Sequence, residues 1–216
     1  MALPHEDTDW NYILPDALLQ YKRIVETFVR ENIHVVLLCR KREEAVKVFD
    51  ESFLYGITFV EMLYNDTWTR DYGPITILKH GELRCLDFGF NGWGLKFAAD
   101  KDNLVNRRLN EKSVFSKGIY RNMSAFILEG GSVETDGEGT ILTTTRCLCS
   151  PNRNGGLSKQ EADEYLRKYL GAEHVLFLDY GALIGDDTDS HIDTLARMAP
   201  DNIILFIVLF HVKGEY

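Results

Sequence analysis

The chain has 216 residues, 45% hydrophobic and 26% charged, with a formal net charge of −9. That length can bury a real core, as one large domain or two small ones. No dense Lys/Arg cluster accompanies the acidic balance, which excludes nucleic acid and an anionic membrane surface as expected partners and mildly favours a cationic ligand. The longest apolar run, Ile203 to Phe210, is far shorter than the roughly 18 residues that span a bilayer. No charged-then-apolar leader opens the chain. The four cysteines (Cys39, Cys85, Cys147 and Cys149) include no CxxC spacing. Reduced, buried thiols in a cytoplasmic protein are therefore expected.

In chain order, Pro15-Asp16 starts an amphipathic helix over Asp16 to Asn32, with Leu18, Leu19, Ile24, Val25, Phe28 and Val29 at helical spacing. His34 to Cys39 reads as a buried strand, Arg42 to Phe53 as a second amphipathic helix, and Ile57 to Met62 as a second strand. Pro74 to Leu78 and Leu83 to Phe88 form a hairpin around His80-Gly81. Asn91-Gly-Trp-Gly94 is a turn or loop, and Asp102 to Lys112 is helical. Ser124 to Leu128 is a strand ending at Glu129-Gly-Gly131. Ser132 to Thr135 and Thr140 to Thr145 form a hairpin around Asp136-Gly-Glu-Gly139. Ser158 to Leu170 is a helix with its signals written out: Ser158 as cap, Glu161 three residues on, and Gly171 past the end. Val175 to Leu178 is a strand, Gly181 to Asp189 a loop rich in Gly and Asp, and Phe206 to Phe210 a plausible last strand.

Three short polar segments punctuate this rhythm: Trp68-Thr-Arg-Asp71-Tyr-Gly-Pro74, Glu129-Gly-Gly131 and His191-Ile-Asp193. Asp71 and Glu129 are 58 residues apart, and Glu129 and His191 are 62 apart. Each interval holds hairpin, helix and strand in the same order, which suggests a repeated ββαβ unit of about 60 residues, each projecting one polar turn. No GxGxxG follows a strand, so a dinucleotide site has no support. Taken singly, two of the segments keep an ordinary reading, Asp71 as a turn or cap aspartate and His191-Ile-Asp193 as a solvated loop, while a long carboxylate before two glycines, Glu129, is less easily dismissed. If extended, His191 and Asp193 share one face; if helical, they diverge. A divalent ion is the other option for a histidine among carboxylates, but no second histidine has ligand spacing. Together the three carboxylates and one imidazole suit gripping a planar cation and moving its protons.

Thr69-Arg-Asp71-Tyr-Gly-Pro74, Phe90-Asn-Gly-Trp-Gly94, Leu128-Glu-Gly-Gly131 with Asp136-Gly-Glu-Gly139, Pro151-Asn-Arg-Asn154 and His191-Ile-Asp193 occur in an order that resembles the agmatine deiminase family. That family is close to the Porphyromonas-type peptidylarginine deiminases, and the resemblance runs from about Pro4 to about Asn202. It implies the pentein fold, an α/β propeller of five ββαβ blades. Residues 1–216 would then form one incomplete catalytic domain of three to four blades. It also implies hydrolysis of agmatine to N-carbamoylputrescine and ammonia, as in polyamine biosynthesis, through a cysteine thiouronium intermediate. A C-terminal peptidyl arginine is the alternative substrate. Carried over by motif, Asp71 and Asp193 would hold the guanidinium nitrogens by charge-assisted hydrogen bonds. Glu129 would orient the histidine or bind the flank of the cation, and His191 would protonate the leaving ammonia and then activate water. Trp93 and Trp68 would cover the stem or stack on the cation, with Arg70 in the binding set. No metal or organic cofactor is implied, and a homo-oligomer is left open for the full-length protein.

The chain departs from the family at one point of chemistry. The family nucleophile lies in a Gly-rich segment with His directly before Cys, and nothing here matches it. Cys147 and Cys149 read as strand or loop residues. Leu3-Pro4-His5 enters where the family has a strand ending in Trp-Pro. The expectation is a truncated chain that grips the cation and does not turn it over alone. The alternative is a guanidinium-binding pseudoenzyme.

Overall fold

A computed structural model describes residues 1–201 and 203–207. Helix α1 (Leu14–Arg30) has Pro15 in its first turn, where a missing N–H costs nothing, and Asp16 beside it at the positive helix end. Strand β1 (Val35–Cys39) pairs in parallel with β2 (Ile57–Glu61). Between them lie α2 (Arg42–Val46) and a 3-10 turn at Glu51–Gly56. The single helix predicted from Arg42 to Phe53 is therefore broken. The Asp50 N–H donates to Glu26 Oε1 at 2.9 Å, and the Asp50 carboxylate takes Lys22 Nζ at 2.5 Å. Both partners belong to α1 and hold Asp50 in an extended conformation, with ψ 139°.

Helix α3 (Thr69–Tyr72) leads into the antiparallel pair β3 (Ile75–Lys79) and β4 (Glu82–Gly89), with Lys79 opposite Glu82. The two turn residues, His80 and Gly81, are both left-handed (φ 53° and 79°), the geometry whose twist matches a tight hairpin. Next come the kinked turn α4 (Gly92–Leu95), α5 (Val105–Glu111) and β5 (Tyr120–Ile127), the last joining a sheet of order β3-β4-β5. Strands β6 (Val133–Thr135) and β7 (Thr140–Thr144) form the second predicted hairpin. After α6 (Thr145–Leu148) and α7 (Lys159–Leu170), β8 (His174–Leu178) returns parallel to β7. Helix α7 carries the predicted capping box of Ser158 and Glu161, and Gly171 ends it at φ 78°. Strands β9 (Ala196–Ala199) and β10 (Ile203–Phe206) close the described chain as an antiparallel pair. The strand expected from Phe206 to Phe210 falls mostly outside the described residues.

The chain is thus mixed α/β with small sheets, and β3-β4-α5-β5 and β6-β7-α7-β8 repeat one ββαβ order. The residues form two compact units, 1–90 with 98–124, and 91–97 with 125 onward. In the first, Val25 and Val29 of α1 pack with Val35, Leu37, Ile57 and Phe59 of the parallel pair. In the second, Leu142, Ile192 and Ala196 are buried together, with Leu178 and Met198 against them. Among the described residues no helix is long and apolar enough to cross a membrane.

Candidate active site

The three polar segments occupy one topological position. Asp71 lies in α3 just before β3, Glu129 precedes a 3-10 turn and β6, and His191 precedes a 3-10 turn and β9. Each polar residue sits on a tight turn that feeds the first strand of a hairpin. Strand β5 delivers Glu129, whose carbonyl accepts from Ser132 N at 3.0 Å and Ser132 Oγ at 2.6 Å. The His191 carbonyl accepts from Thr194 Oγ1 at 2.8 Å, while Ile192, fully buried, anchors the segment in the core.

Within the second unit these turns bring Glu129 and His191 together. Glu129 Oε2 accepts from His191 Nε2 at 2.9 Å and from Arg153 Nε at 2.8 Å, and Arg153 Nη2 is ion-paired to it at 2.7 Å. All three side chains are at most 1% exposed. An ionised carboxylate only accepts, so its bond to His191 assigns the proton to Nε2. Glu129 Oε1 is buried and makes no hydrogen bond among the described residues. Arg153 Nη2 also donates to the Thr188 carbonyl at 2.9 Å, and Arg153 Nη1 lies 3.6 Å from Asp189 Oδ2. Asp189 Oδ1 in turn takes Lys96 Nζ at 2.6 Å. The charges therefore alternate inward along Lys96, Asp189, Arg153 and Glu129 to His191. Burial alone would pull the Arg153 guanidinium down, but Cys147, Glu129 and Asp189 outweigh it and hold it above its ordinary value.

The loop before His191 is braced by Asp186, which accepts from Thr188 N at 2.8 Å and Ser190 N at 2.6 Å. Burial pushes the Asp186 carboxyl up, yet these bonds and that from the Thr188 hydroxyl prevail and hold it below the usual range. Asp189 and Ser190 follow with left-handed backbone (φ 62° and 68°), as does Trp93 (φ 56°) in the facing α4 turn. Non-glycine residues held this way store strain, which concentrates where side chains must be aimed. Trp93 is buried, edge-on to Phe97 at 5.6 Å.

Cys147 is fully buried, with Sγ within 4.8 Å of ligand atoms on both Glu129 and His191. The sequence reading placed it on a strand or loop. It lies instead in α6, where Thr144 Oγ1 caps the turn by accepting its N–H at 3.1 Å. Oxygen, sulfur and nitrogen in this arrangement are a zinc-type donor set. The Arg153 guanidinium already saturates Glu129 Oε2, however, and sets a fixed positive charge against any dication there.

Asp193 is half-buried on the 3-10 turn Ile192–Thr194. The extended reading of His191-Ile-Asp193 therefore fails, because the bonds from Thr194 to the His191 carbonyl close a turn within the motif. Asp71 is buried, Arg70 is exposed, and Trp68 is half-exposed and tilted against Trp10 at 6.2 Å. Those three belong to the first unit, and Glu129, His191, Asp193 and Trp93 to the second. Arg153 and Cys147 were the residues the sequence did not assign. Arg153 stands inside the conspicuous Pro151-Asn-Arg-Asn154 segment, and an arginine that buries must find a carboxylate.

Repeated ββαβ order and a buried carboxylate–imidazole pair place this chain in a class of mixed α/β proteins with a polar site on the turns between repeats. More particularly, the chain belongs to the Porphyromonas-type peptidyl-arginine deiminase family, whose model matches residues 1–213. It is similar to a cysteine-to-serine variant of C. jejuni agmatine deiminase with substrate bound, at 39% identity and a TM-score of 0.87, covering 99% of this chain and 62% of that one. The agmatine deiminase of Enterococcus faecalis is 32% identical with a TM-score of 0.73, covering 92% and 54%. A Vibrio parahaemolyticus protein provisionally named agmatine deiminase is 35% identical over 208 residues, 95% of this chain and 57% of the relative. The match spans between 41% and 59% of the length of curated relatives of this chain.

Proposed function

We propose that this chain is the cation-gripping part of an agmatine deiminase, folded as part of a pentein propeller in the cytoplasm. The observation that carries the reading is the Glu129–His191 pair at 2.9 Å, buried, with Glu129 Oε1 left without a hydrogen bond among the described residues. A guanidinium N–H meeting that oxygen would gain a charge-assisted bond and relieve a buried, unpaired acceptor. Asp71 and Asp193 would hold the remaining nitrogens, with Trp93, Trp68 and Arg70 shaping the surroundings.

In the whole protein, a thiolate adds to the guanidinium carbon and the bond from that carbon to a terminal nitrogen breaks. His191 supplies the proton that lets the nitrogen leave as ammonia. It then takes a proton from the water that attacks the thiouronium carbon, and the thiolate departs from the ureido product. Glu129 keeps the imidazole oriented through both proton transfers. No segment of these 216 residues matches the His-Cys nucleophile motif, so the chain alone is expected to bind without turnover. Calorimetric titration with agmatine tests this: saturable binding, weakened at least about tenfold in Glu129→Gln, is expected. Absence of binding sinks the reading. Ureido product from the chain alone sinks the no-turnover part, and tighter binding of a peptide ending in arginine moves the substrate to the peptidyl class.

A further inference from the structure

We propose that Arg153 is a positioning residue that divides the two oxygens of Glu129, occupying Oε2 so that Oε1 alone meets the guanidino cation. The inference rests on the cation-binding reading above and deepens it. Oε2 accepts one N–H from Arg153 Nε and one from His191 Nε2 and is ion-paired with Arg153 Nη2 at 2.7 Å, while among the described residues Oε1, also buried, accepts none. Without Arg153 the carboxylate could turn about its last bond and exchange its oxygens. The guanidinium, bonded through Nε and ion-paired through Nη2 on one side of the carboxylate, fixes that rotation, a task a single ammonium does not perform.

Arg153 is itself immobilised, so it serves as an anchor and does not compete for the ligand position. Its backbone N–H donates to the Ser150 carbonyl at 3.0 Å, its Nη2 to the Thr188 carbonyl, and its Nη1 rests against Asp189. Asp189 is pinned by Lys96, and Gly94 leaves the space in which the Asp189–Arg153 contact sits.

The second consequence is electrostatic. A bare Glu129 beside His191 would hold the imidazole in its charged form. A guanidinium on the same oxygen opposes that field, while Asp186 and Cys147 also lie near the imidazole. Arg153 thus acts through Glu129 on the ligand and on His191 at once.

The test follows the His191 imidazole by NMR through a pH titration of the 216-residue chain, with agmatine affinity measured beside it. In Arg153→Met the His191 midpoint is expected to rise by about one pH unit and agmatine to bind at least about tenfold more weakly. Arg153→Lys keeps the buried charge but not the guanidinium, and serves where Arg153→Met fails to fold. Its expected rise is about half a unit, with a similar loss of affinity. A His191 midpoint that stays within about 0.2 unit of wild type in every folded variant overturns the proposal and leaves Arg153 a structural residue. If wild type binds no agmatine, the cation-binding reading falls while the titration still decides the role of Arg153 toward Glu129 and His191.

Discussion

Gly94 leaves little room for a side chain: a Cβ there would lie a tight 3.0 Å from Asp189 Oδ2 and 3.5 Å from Arg153 Nη1, on backbone at φ 78°. Gly94→Ala is therefore expected to cost about 1–2 kcal/mol in urea unfolding, by left-handed strain together with displacement of Asp189. Gly137→Ala is the control, since it shares the left-handed backbone (φ 77°) with open space around it. It should lose only the backbone part, about 1 kcal/mol. Equal losses in the two variants would show that the close approach to Asp189 and Arg153 costs nothing. At this scale the sequence spoke where the signal was local. Glu129 stood before two glycines and His191 two residues before Asp193, so both could be singled out. Arg153 could not be paired, because its carboxylate lies 24 residues away in the chain and no spacing rule links them. Cys147 and Cys149 read as strand or loop residues, whereas the Thr144 cap starts a helical turn there.

Among the elements, α7 connects β7 to its parallel neighbour β8 and depends on its ends. Ser158 Oγ accepts the Glu161 N–H at 3.2 Å while Glu161 Oε2 accepts the Ser158 N–H at 2.9 Å. Ser158→Ala removes the first bond and the anchor of the second, and should lower stability by about 1 kcal/mol in denaturant unfolding. Ser158→Asp, which can still cap, should restore most of it. Unchanged stability in Ser158→Ala would mean that tertiary packing alone holds this helix end. Helix α7 and the His80-Gly81 hairpin were legible in the sequence because caps and tight turns are written in adjacent residues. The break between α2 and Gly56 was not, because Glu26 and Lys22 impose it from another helix. Likewise the polar turns showed up as a rhythm of about 60 residues, whereas their 3-10 geometry, set by hydroxyls such as Thr194 Oγ1, did not.

Among the groups through which pH acts on the whole molecule, two buried ones of the first unit pull in opposite directions. Burial pushes the Asp102 carboxyl up to about 7, against the backbone N–H bonds it accepts from Asn65 at 2.6 Å and Asp66 at 3.2 Å. The native state therefore holds this proton to higher pH than the unfolded chain does. The stability this confers is complete below the unfolded value of 3.8 and is lost as pH rises through about 7. His5 behaves inversely. Burial, followed by the charge of Arg40, lowers its imidazole, and its Nδ1 accepts the Asp7 N–H as only the neutral ring can. Its contribution is present above the unfolded value of 6.5 and is lost as pH falls through the lower folded value. The two partly cancel in the wild-type profile, so the decisive measurement is a difference. Asp102→Asn keeps an oxygen for the Asn65 and Asp66 donors but cannot ionise. Relative to that variant, wild type should lose about 2 kcal/mol between about pH 5 and about pH 7.5 in urea unfolding. Parallel profiles across that window would show that the backbone donors outweigh burial and that Asp102 is already ionised at the acid end.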